Sequence, residues 1–439
     1  MYNLTEPQAG SYEDTWTAYG FSRNPFDYRP LRVAAEDRDL FVGRRKEQEQ
    51  FKVQAAGPEG GIIIVEGPIG VGKTSFVNAM LYDKWNPRQT NSESGPRRRT
   101  HSYLPSFETI QLRENQDLAS LMLSVLSNCI FSLERIHGQD ASESDNYLKA
   151  GKELISNTVR SGFAGFSLSI LGTGGGVQAD KTAVTPAAIP LPTIMNTIDR
   201  WFEAAAKRFD YEAVMVPINN LDVLEEQTVV SFLNSARDTL LSRRRVWWIL
   251  VGGPGLFLTL ERNARRVSEL ITGRPIALGP LSLEDVLEAV RTRVEKFRVT
   301  KDAKQPISDA IVKTLYEASG GEVRYTFKRL TDMIYEFRTN FPSENVIPER
   351  TAMNSIRILA TRNLDGMTLT EREQEVLKLM AAEKSFRIRD YSKFKYDKPQ
   401  PLQNLVSKFV RLGLLRRVEK STREVYYSTA GDVNLVFGL

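Results

Sequence analysis

The sequence predicts an α/β core on a parallel sheet, then a run of helices, then a small C-terminal unit of helices closed by a hairpin. Three observations carry this. Short strands of buried type alternate with helices from residue 61 to about 278, which places a parallel sheet between helical layers. After Leu278 the apolar spacing is helical only. From residue 366 the order is helix, short helix, helix and two strands.

Composition sets the bounds. A chain of 439 residues is enough for two or three domains, and 41% hydrophobic with 26% charged residues is ordinary for a soluble globular protein. The longest apolar runs are too short to cross a bilayer, and MYNLTEPQAGSYEDTW lacks a signal-peptide pattern. No membrane partner and a cytoplasmic location are therefore expected. One cysteine excludes an internal disulfide, and with two histidines it cannot build an ordinary structural zinc site. Cys129 lies in an apolar helical run and reads as a packed core thiol. The net charge of +5 permits an anionic partner, with clusters at Arg97–Arg99, Arg243–Arg245, Arg265–Arg266, and Arg411 with Arg416–Arg417.

In chain order, residues 1–36 read as an irregular arm and LFVGRRKEQEQF opens a helix. IIIVE (62–66) is a β-branched strand, followed by a helix over about 73–82. SFETIQL (106–112) reads as a second strand, 118–133 as a buried helix, AVMVPI (213–218) as a third strand, VWWILV (246–251) as a fourth and RPIAL (274–278) as a fifth. Residues 86–101 form a polar loop. An insertion is expected near 137–192, and its glycine-rich part, 161–186, is either a β-hairpin or a disordered linker. Helices follow at 282–298, 306–319, 323–338 and 349–361, and Thr370 with Glu373 forms a capping-box pattern before the next. The boundaries predicted are arm 1–36, core 37–278, helical segment 279–362 and C-terminal unit 363–439.

GIIIVEGPIGVGKTS carries the chemistry. Gly67, Pro68, Ile69, Gly70, Val71, Gly72, Lys73 and Thr74 make a phosphate loop between a strand and a helix, where that pattern has meaning. Glycines let successive N–H groups converge on an anion, and the helix start adds its partial positive charge. ATP and Mg²⁺ are the expected cofactors: Lys73 reaches the β- and γ-phosphates, Thr74 ligates the metal, and Ser75 completes the loop. Hydrolysis needs carboxylates at the tip of a neighbouring strand. That tip carries Asn219 and Asn220, with Asp222 two residues on. Asp222 is thus the candidate catalytic and metal carboxylate, or alternatively a helix N-cap.

These residues resemble the AAA+ ATPases, and within them the initiator group of origin-recognition ATPases, over about residues 21–439. The resemblance implies a P-loop αβα core, a helical lid and a C-terminal winged helix. NPF with LFVGRRKE resembles the element that frames adenine, which implicates Phe41 and Val42. INNLD lies where the family has its acidic second motif, so Asn219 and Asn220 are departures. WWILVGG resembles the first-sensor strand, with Gly252 and Gly253 where a polar side chain is usual. LERNARRVSEL resembles the segment that supplies an arginine finger to a neighbouring subunit, making Arg265 or Arg266 candidates and self-association an expectation. SGGEVRYTFKRL resembles the second-sensor helix and implies Arg324 at the γ-phosphate. An arginine in a first helical turn opposes the helix dipole unless an anion faces it; the alternative is a pair with Glu322.

In the C-terminal unit Leu402, Leu405, Val406, Phe409 and Leu412 form an apolar stripe. Gln403, Asn404, Ser407, Lys408 and Arg411 occupy the other face, and Lys420 to Arg423 tip the hairpin. With Lys398 and its neighbours Lys393 and Lys395, this winged-helix pattern suits a major groove and its phosphates; protein docking is the alternative. Two functions follow: an ATP-controlled switch on double-stranded DNA that recruits replication, transposition or phage-defence machinery, or a STAND-type signalling ATPase whose terminal unit docks an effector protein. A nucleotide-locked scaffold with little turnover is a third.

Overall fold

The computed structural model describes residues 15–86, 102–114, 117–160, 189–301, 303–341, 344, 346–383, 385–418 and 425–438. The chain forms two compact units, residues 30–279 and residues 1–29 with 280–439. A single helical turn, α1 (Thr15–Ala18), precedes the first unit in sequence and packs in the second.

The 30–279 unit is a parallel sheet with helices on both faces. Its strands are β1 (Gly61–Glu66), β2 (Tyr103–Pro105), β3 (Ile110–Gln111), β4 (Ala213–Asn219), β5 (Val246–Gly252) and β6 (Ile276–Ala277). Their order is β2-β4-β5-β1-β6, with β3 also paired to β4. The helices are α2 (Ala35–Arg38), α3 (Arg45–Gln54), α4 (Lys73–Trp85), α5 (Leu118–His137), α6 (Asn146–Arg160), α7 (Leu191–Phe209), α8 (Glu226–Ala236), α9 (Leu256–Asn263) and α10 (Arg265–Ser268). This is the α/β class the alternation predicts.

β4 and β5 are buried at every residue, as apolar runs without alternation require. Register sorts their side chains between two cores. Ile62 and Ile64 lie opposite Trp248 and Leu250 and face one layer with α5 and α7; Ile63 and Val65 lie opposite Ile249 and Val251 and face the other with α4. Among the described residues α5 alone is long and apolar enough to cross a bilayer, and 67% of that stretch is buried inside the core. Cys129 sits on α5 fully buried, and burial pushes its thiol pKa up, as an inert core thiol should behave.

Several expectations are corrected. The strand placed at 106–112 is reduced to β3 (Ile110–Gln111), and a separate short strand, β2 (Tyr103–Pro105), ends just before that span. The Ser106 N–H still reaches the Met215 carbonyl at 2.8 Å, but the Ser106 hydroxyl then donates to Glu108 O at 2.8 Å and closes a turn, so pairing resumes only at Ile110. The fifth strand shrinks to the two residues that meet Val65 and Glu66. Gly172 and the rest of the glycine-rich 161–186 stretch lie outside the described residues.

The other unit contains α11 (Leu283–Phe297), α12 (Asp309–Ser319), α13 (Val323–Asn340), α14 (Glu349–Asp365), α15 (Glu371–Ala381), a 3₁₀ segment (Ile388–Phe394), α16 (Pro399–Arg411), an antiparallel pair β7 (Leu415–Val418) and β8 (Tyr426–Thr429), and α17 (Asp432–Phe437). The arm is not irregular throughout. Trp16, Phe21 and Phe26 are buried, the Trp16 indole donates to Tyr335 Oη at 3.0 Å, and Asn24 donates to Thr331 Oγ1 at 3.0 Å, so residues 15–29 line α13. The Thr370–Glu373 capping box is present. Leu402, Leu405, Val406 and Phe409 fill the core of the C-terminal helices, but Leu412 is 39% exposed, because it falls past the last turn of α16. The unforeseen α17 is short, and its hold is polar: Asp432 accepts from Tyr325, Arg329 and Asn363.

Candidate nucleotide-binding site

β1 ends at Glu66 and α4 begins at Lys73, so six residues make the turn. Two glycines are required there for different reasons. A Cβ on Gly67 would lie 2.4 Å from the Leu278 carbonyl oxygen, so only glycine fits beside β6. Gly72, the N-cap of α4, has φ of 96°, and a Cβ there would meet nothing; its need is purely conformational. Ile69, at the crest, is 74% exposed.

Lys73, Thr74 and Asp222 come together around this loop. Lys73 Nζ donates to Gly67 O at 2.7 Å and Pro68 O at 3.1 Å and lies 3.3 Å from Asp222 Oδ2. The lysine therefore folds over its own loop, held by two carbonyls and one carboxylate. Asp222 is not a helix cap: the N-cap of α8 is Glu225, three residues on. Thr74 Oγ1 lies 3.3 Å from Asn219 Nδ2, at the end of β4. Asn219 is 5% exposed and its Oδ1 is buried without a hydrogen-bond partner. A lone buried amide oxygen beside the threonine hydroxyl suits a hydrated cation, because magnesium keeps several waters that such an oxygen can accept from. The donor set of Thr74, Asn219 and Asp222 thus fits Mg²⁺ held largely by water and phosphate. Among the described residues no group of three or more His, Cys, Asp or Glu could hold a metal by itself.

The positions that depart from the expected pattern have particular local surroundings. Asn220 turns the chain with φ of 62°, a left-handed backbone that asparagine tolerates better than most residues with a Cβ. At the end of β5, a Cβ on Gly252 would meet Leu256 Cδ2 at 2.8 Å, and one on Gly253 would lie 3.1 Å from Asp222 Cβ. A polar sensor side chain at either place would have to displace Leu256 or Asp222.

The remaining phosphate-loop residue, Ser75, faces the arm. Its hydroxyl accepts from the Leu31 N–H at 3.1 Å, and Asn78 donates to Leu31 O at 2.7 Å, so both backbone groups of Leu31 are held by α4. Phe41 and Val42 are half-buried; the Phe41 ring packs 6.1 Å from Phe76, under the Arg38 guanidinium, which bonds Asp83. Sequence reasoning missed two residues here. Asn78 interrupts the apolar FVNAML, and a buried amide in such a run demands a partner. Arg44, 8% exposed, donates to Val71 O at 2.8 Å and Gly279 O at 2.9 Å, a contact between distant segments that no local pattern reveals.

The other candidates have their own surroundings. Arg265 and Arg266 are exposed on α10, and Arg266 pairs with Asp238 at 3.3 Å. Arg324 is exposed in the first turn of α13, in the other unit; burial raises the pKa of Glu322, and Arg324 opposes that rise. On α16, Gln403, Asn404, Ser407 and Arg411 are exposed and Lys398 is the N-cap. The cations nearby are largely engaged: Lys408 with Glu373 at 2.7 Å, Lys395 with Glu375 at 2.6 Å and Lys393 with Glu383 at 3.0 Å. Arg423 lies outside the described residues.

No family model and no curated protein matches the chain. Solved structures do. The ORC2 protein of Aeropyrum pernix, solved as ADPNP–ADP complexes, aligns with 95% of this chain and 96% of its own at 12% identity and a TM-score of 0.50. The ORC1 protein of Aeropyrum pernix in complex with DNA aligns over 93% of both chains at 12% identity and a TM-score of 0.45. RuvB of Thermotoga maritima aligns with 89% of this chain and 93% of its own at 12% identity and a TM-score of 0.41. The ORC2 likeness shows the fold: an α/β architecture shared with that protein over nearly the whole of both chains.

Proposed function

We propose that this chain binds Mg²⁺–ATP at Gly67–Ser75 and uses the nucleotide to control its grip on double-stranded DNA. The carrying observation is Lys73, held over the loop by Gly67 O, Pro68 O and Asp222. A triphosphate offers that ammonium stronger, charged acceptors than two carbonyls. On binding, Lys73 would turn to the β- and γ-phosphates and leave Asp222, and Thr74, Asn219 and Asp222 would hold the metal. Magnesium, when bound, spreads the charge of the β- and γ-oxygens.

Turnover on this reading is slow. Asn219 and Asn220 cannot accept a proton at neutral pH, and Asp222 is the one nearby carboxylate assigned to activate water. Arg324 reads the γ-phosphate from the lid, and Arg265 or Arg266 reaches the nucleotide of a second copy. The exposed Gln403, Asn404, Ser407 and Arg411 address base edges, while Lys398, Lys408 and Arg423 address phosphates. Asn219 and Asn220 also favour a second reading, a nucleotide-locked scaffold, since neither amide can take a proton from water.

Calorimetry with Mg²⁺–ATP and Mg²⁺–ADP, then duplex binding against salt with each nucleotide, tests the proposal. Heat of association and a salt-sensitive duplex affinity that differs between ATP and ADP are expected. No duplex binding at low salt removes the DNA reading; no heat removes both.

A further inference from the structure

Arg44 occupies an unusual place for a residue of its kind. It is 8% exposed, caps the N-terminus of α3 and has a φ of 56°, a left-handed backbone disfavoured for any residue with a Cβ. A guanidinium never loses its charge, so burying one demands acceptors. One terminal nitrogen, Nη2, supplies bonds to two carbonyls, Val71 O at 2.8 Å and Gly279 O at 2.9 Å. Val71 lies inside the phosphate loop, and Gly279 is the last residue of the 30–279 unit, just past β6.

The direction of the first bond matters. In a trans peptide the C=O and the following N–H point opposite ways, and the described chain has no cis peptide. The Val71 carbonyl accepts from Arg44, so the Gly72 N–H of the same peptide faces away from that guanidinium. The left-handed φ of Gly72 allows this without strain. The second bond, to Gly279 O, ties the same nitrogen to the segment after β6.

We propose that Arg44 is a positioning residue for phosphate: it fixes the Val71–Gly72 peptide so that the Gly72 amide faces the nucleotide, and its charge stands behind the loop. This rests on the nucleotide reading above. It adds a requirement that motif reading does not contain, since the loop alone leaves that peptide free to turn over, which would point an oxygen at the anion.

The test uses the full chain and three variants: Arg44→Asn, whose side chain tolerates a left-handed backbone; Arg44→Lys, which keeps a charge but not the planar fork; and Lys73→Ala. Calorimetric affinities for ATP, ADP and AMP are compared, all with Mg²⁺. Arg44→Asn should weaken ATP and ADP by about tenfold or more, the scale of a charge-assisted hydrogen bond, and leave AMP as in the parent, because AMP lacks the phosphates that Lys73 and its neighbouring amides would hold. Arg44→Lys should fall between, and it carries the comparison alone should the asparagine variant fail to fold. Parent-like ADP affinity in the variants overturns the proposal, as does an equal loss for AMP, which would mean general damage to the unit. A parent that binds no ADP overturns the nucleotide reading together with it. A parent that binds ADP, a Lys73→Ala that does not and an Arg44 variant that does would remove this inference alone.

Discussion

Lys73 Nζ lies 3.3 Å from Asp222 Oδ2, so the two residues assigned to phosphate and to water face each other across the candidate site. The pair is partly enclosed, with side-chain exposures of 12% and 19%, so its charges are screened less than those of a surface pair. Separating them should have opposite effects on binding and on turnover. Asp222→Ala frees the lysine and removes the activating carboxylate. It should bind ATP at least as tightly as the parent while γ-phosphate release falls about tenfold or more. Release at the parent rate would remove Asp222 from its assigned role.

Asn219 offers the reverse experiment. A carboxylate in its place would sit beside Thr74 and draw the metal directly. Asn219→Asp should raise γ-phosphate release by about tenfold. Asn220→Val should cost roughly 1–2 kcal/mol of stability, because a β-branched side chain cannot take the left-handed turn without strain; a chemical-denaturation midpoint equal to the parent's would contradict that account.

A second carboxylate, Asp432, ties the terminal helix α17 to α13 and α14. It is 6% exposed and accepts from Tyr325 Oη at 2.6 Å, Arg329 Nε at 3.0 Å and Asn363 Nδ2 at 3.2 Å. Asp432→Ala leaves the Arg329 guanidinium without its main counter-charge and should destabilise this unit by about 3–5 kcal/mol. Tyr325→Phe should cost only about 1 kcal/mol. Similar losses for both variants would show that the charge is unimportant.

Lys408 provides a test of the proposed DNA face. Its ion pair with Glu373 competes with any phosphate, and Glu373 also closes the Thr370 capping box. Glutamine preserves the cap but not the charge. Glu373→Gln should therefore tighten duplex binding a few-fold and steepen the log–log salt dependence by about one. An unchanged slope would exclude Lys408 from the phosphate contacts.

Lys84 gives the core unit a pH signature. Burial lowers its pKa to about 8, while Nζ donates to Ala55 O at 2.6 Å. Above pH 8 the folded state has released a proton that the unfolded chain keeps to its ordinary value of 10.5, so stability rises with pH over that interval. The neighbouring Tyr103 works the other way: burial pushes its pKa up to about 12 from 10.0, so stability falls above pH 10. Unfolding midpoints should climb between pH 8 and pH 10 and then turn down. Lys84→Met should flatten the climb, and a slope identical to the parent's would refute this assignment.

The sequence by itself determined the parallel α/β core, because β-branched runs such as IIIVE must be buried on both faces, and it determined the turn, because Gly67 and Gly72 stand where a Cβ would clash or strain. It also determined the capping box at Thr370 and most of the apolar stripe on α16, both set by spacing within one helix. Only the tertiary structure decided the rest. Asp222 could be a helix cap or the catalytic and metal carboxylate, and only the fold puts it 3.3 Å from Lys73. Arg44 bridges two carbonyls, at Val71 and Gly279, and the second lies more than two hundred residues away. Lys408 shows the same limit from the other side, since Glu373 takes up a charge that the sequence offers to phosphate. Helical and strand periods are local, whereas the partner of a charge depends on where the chain returns.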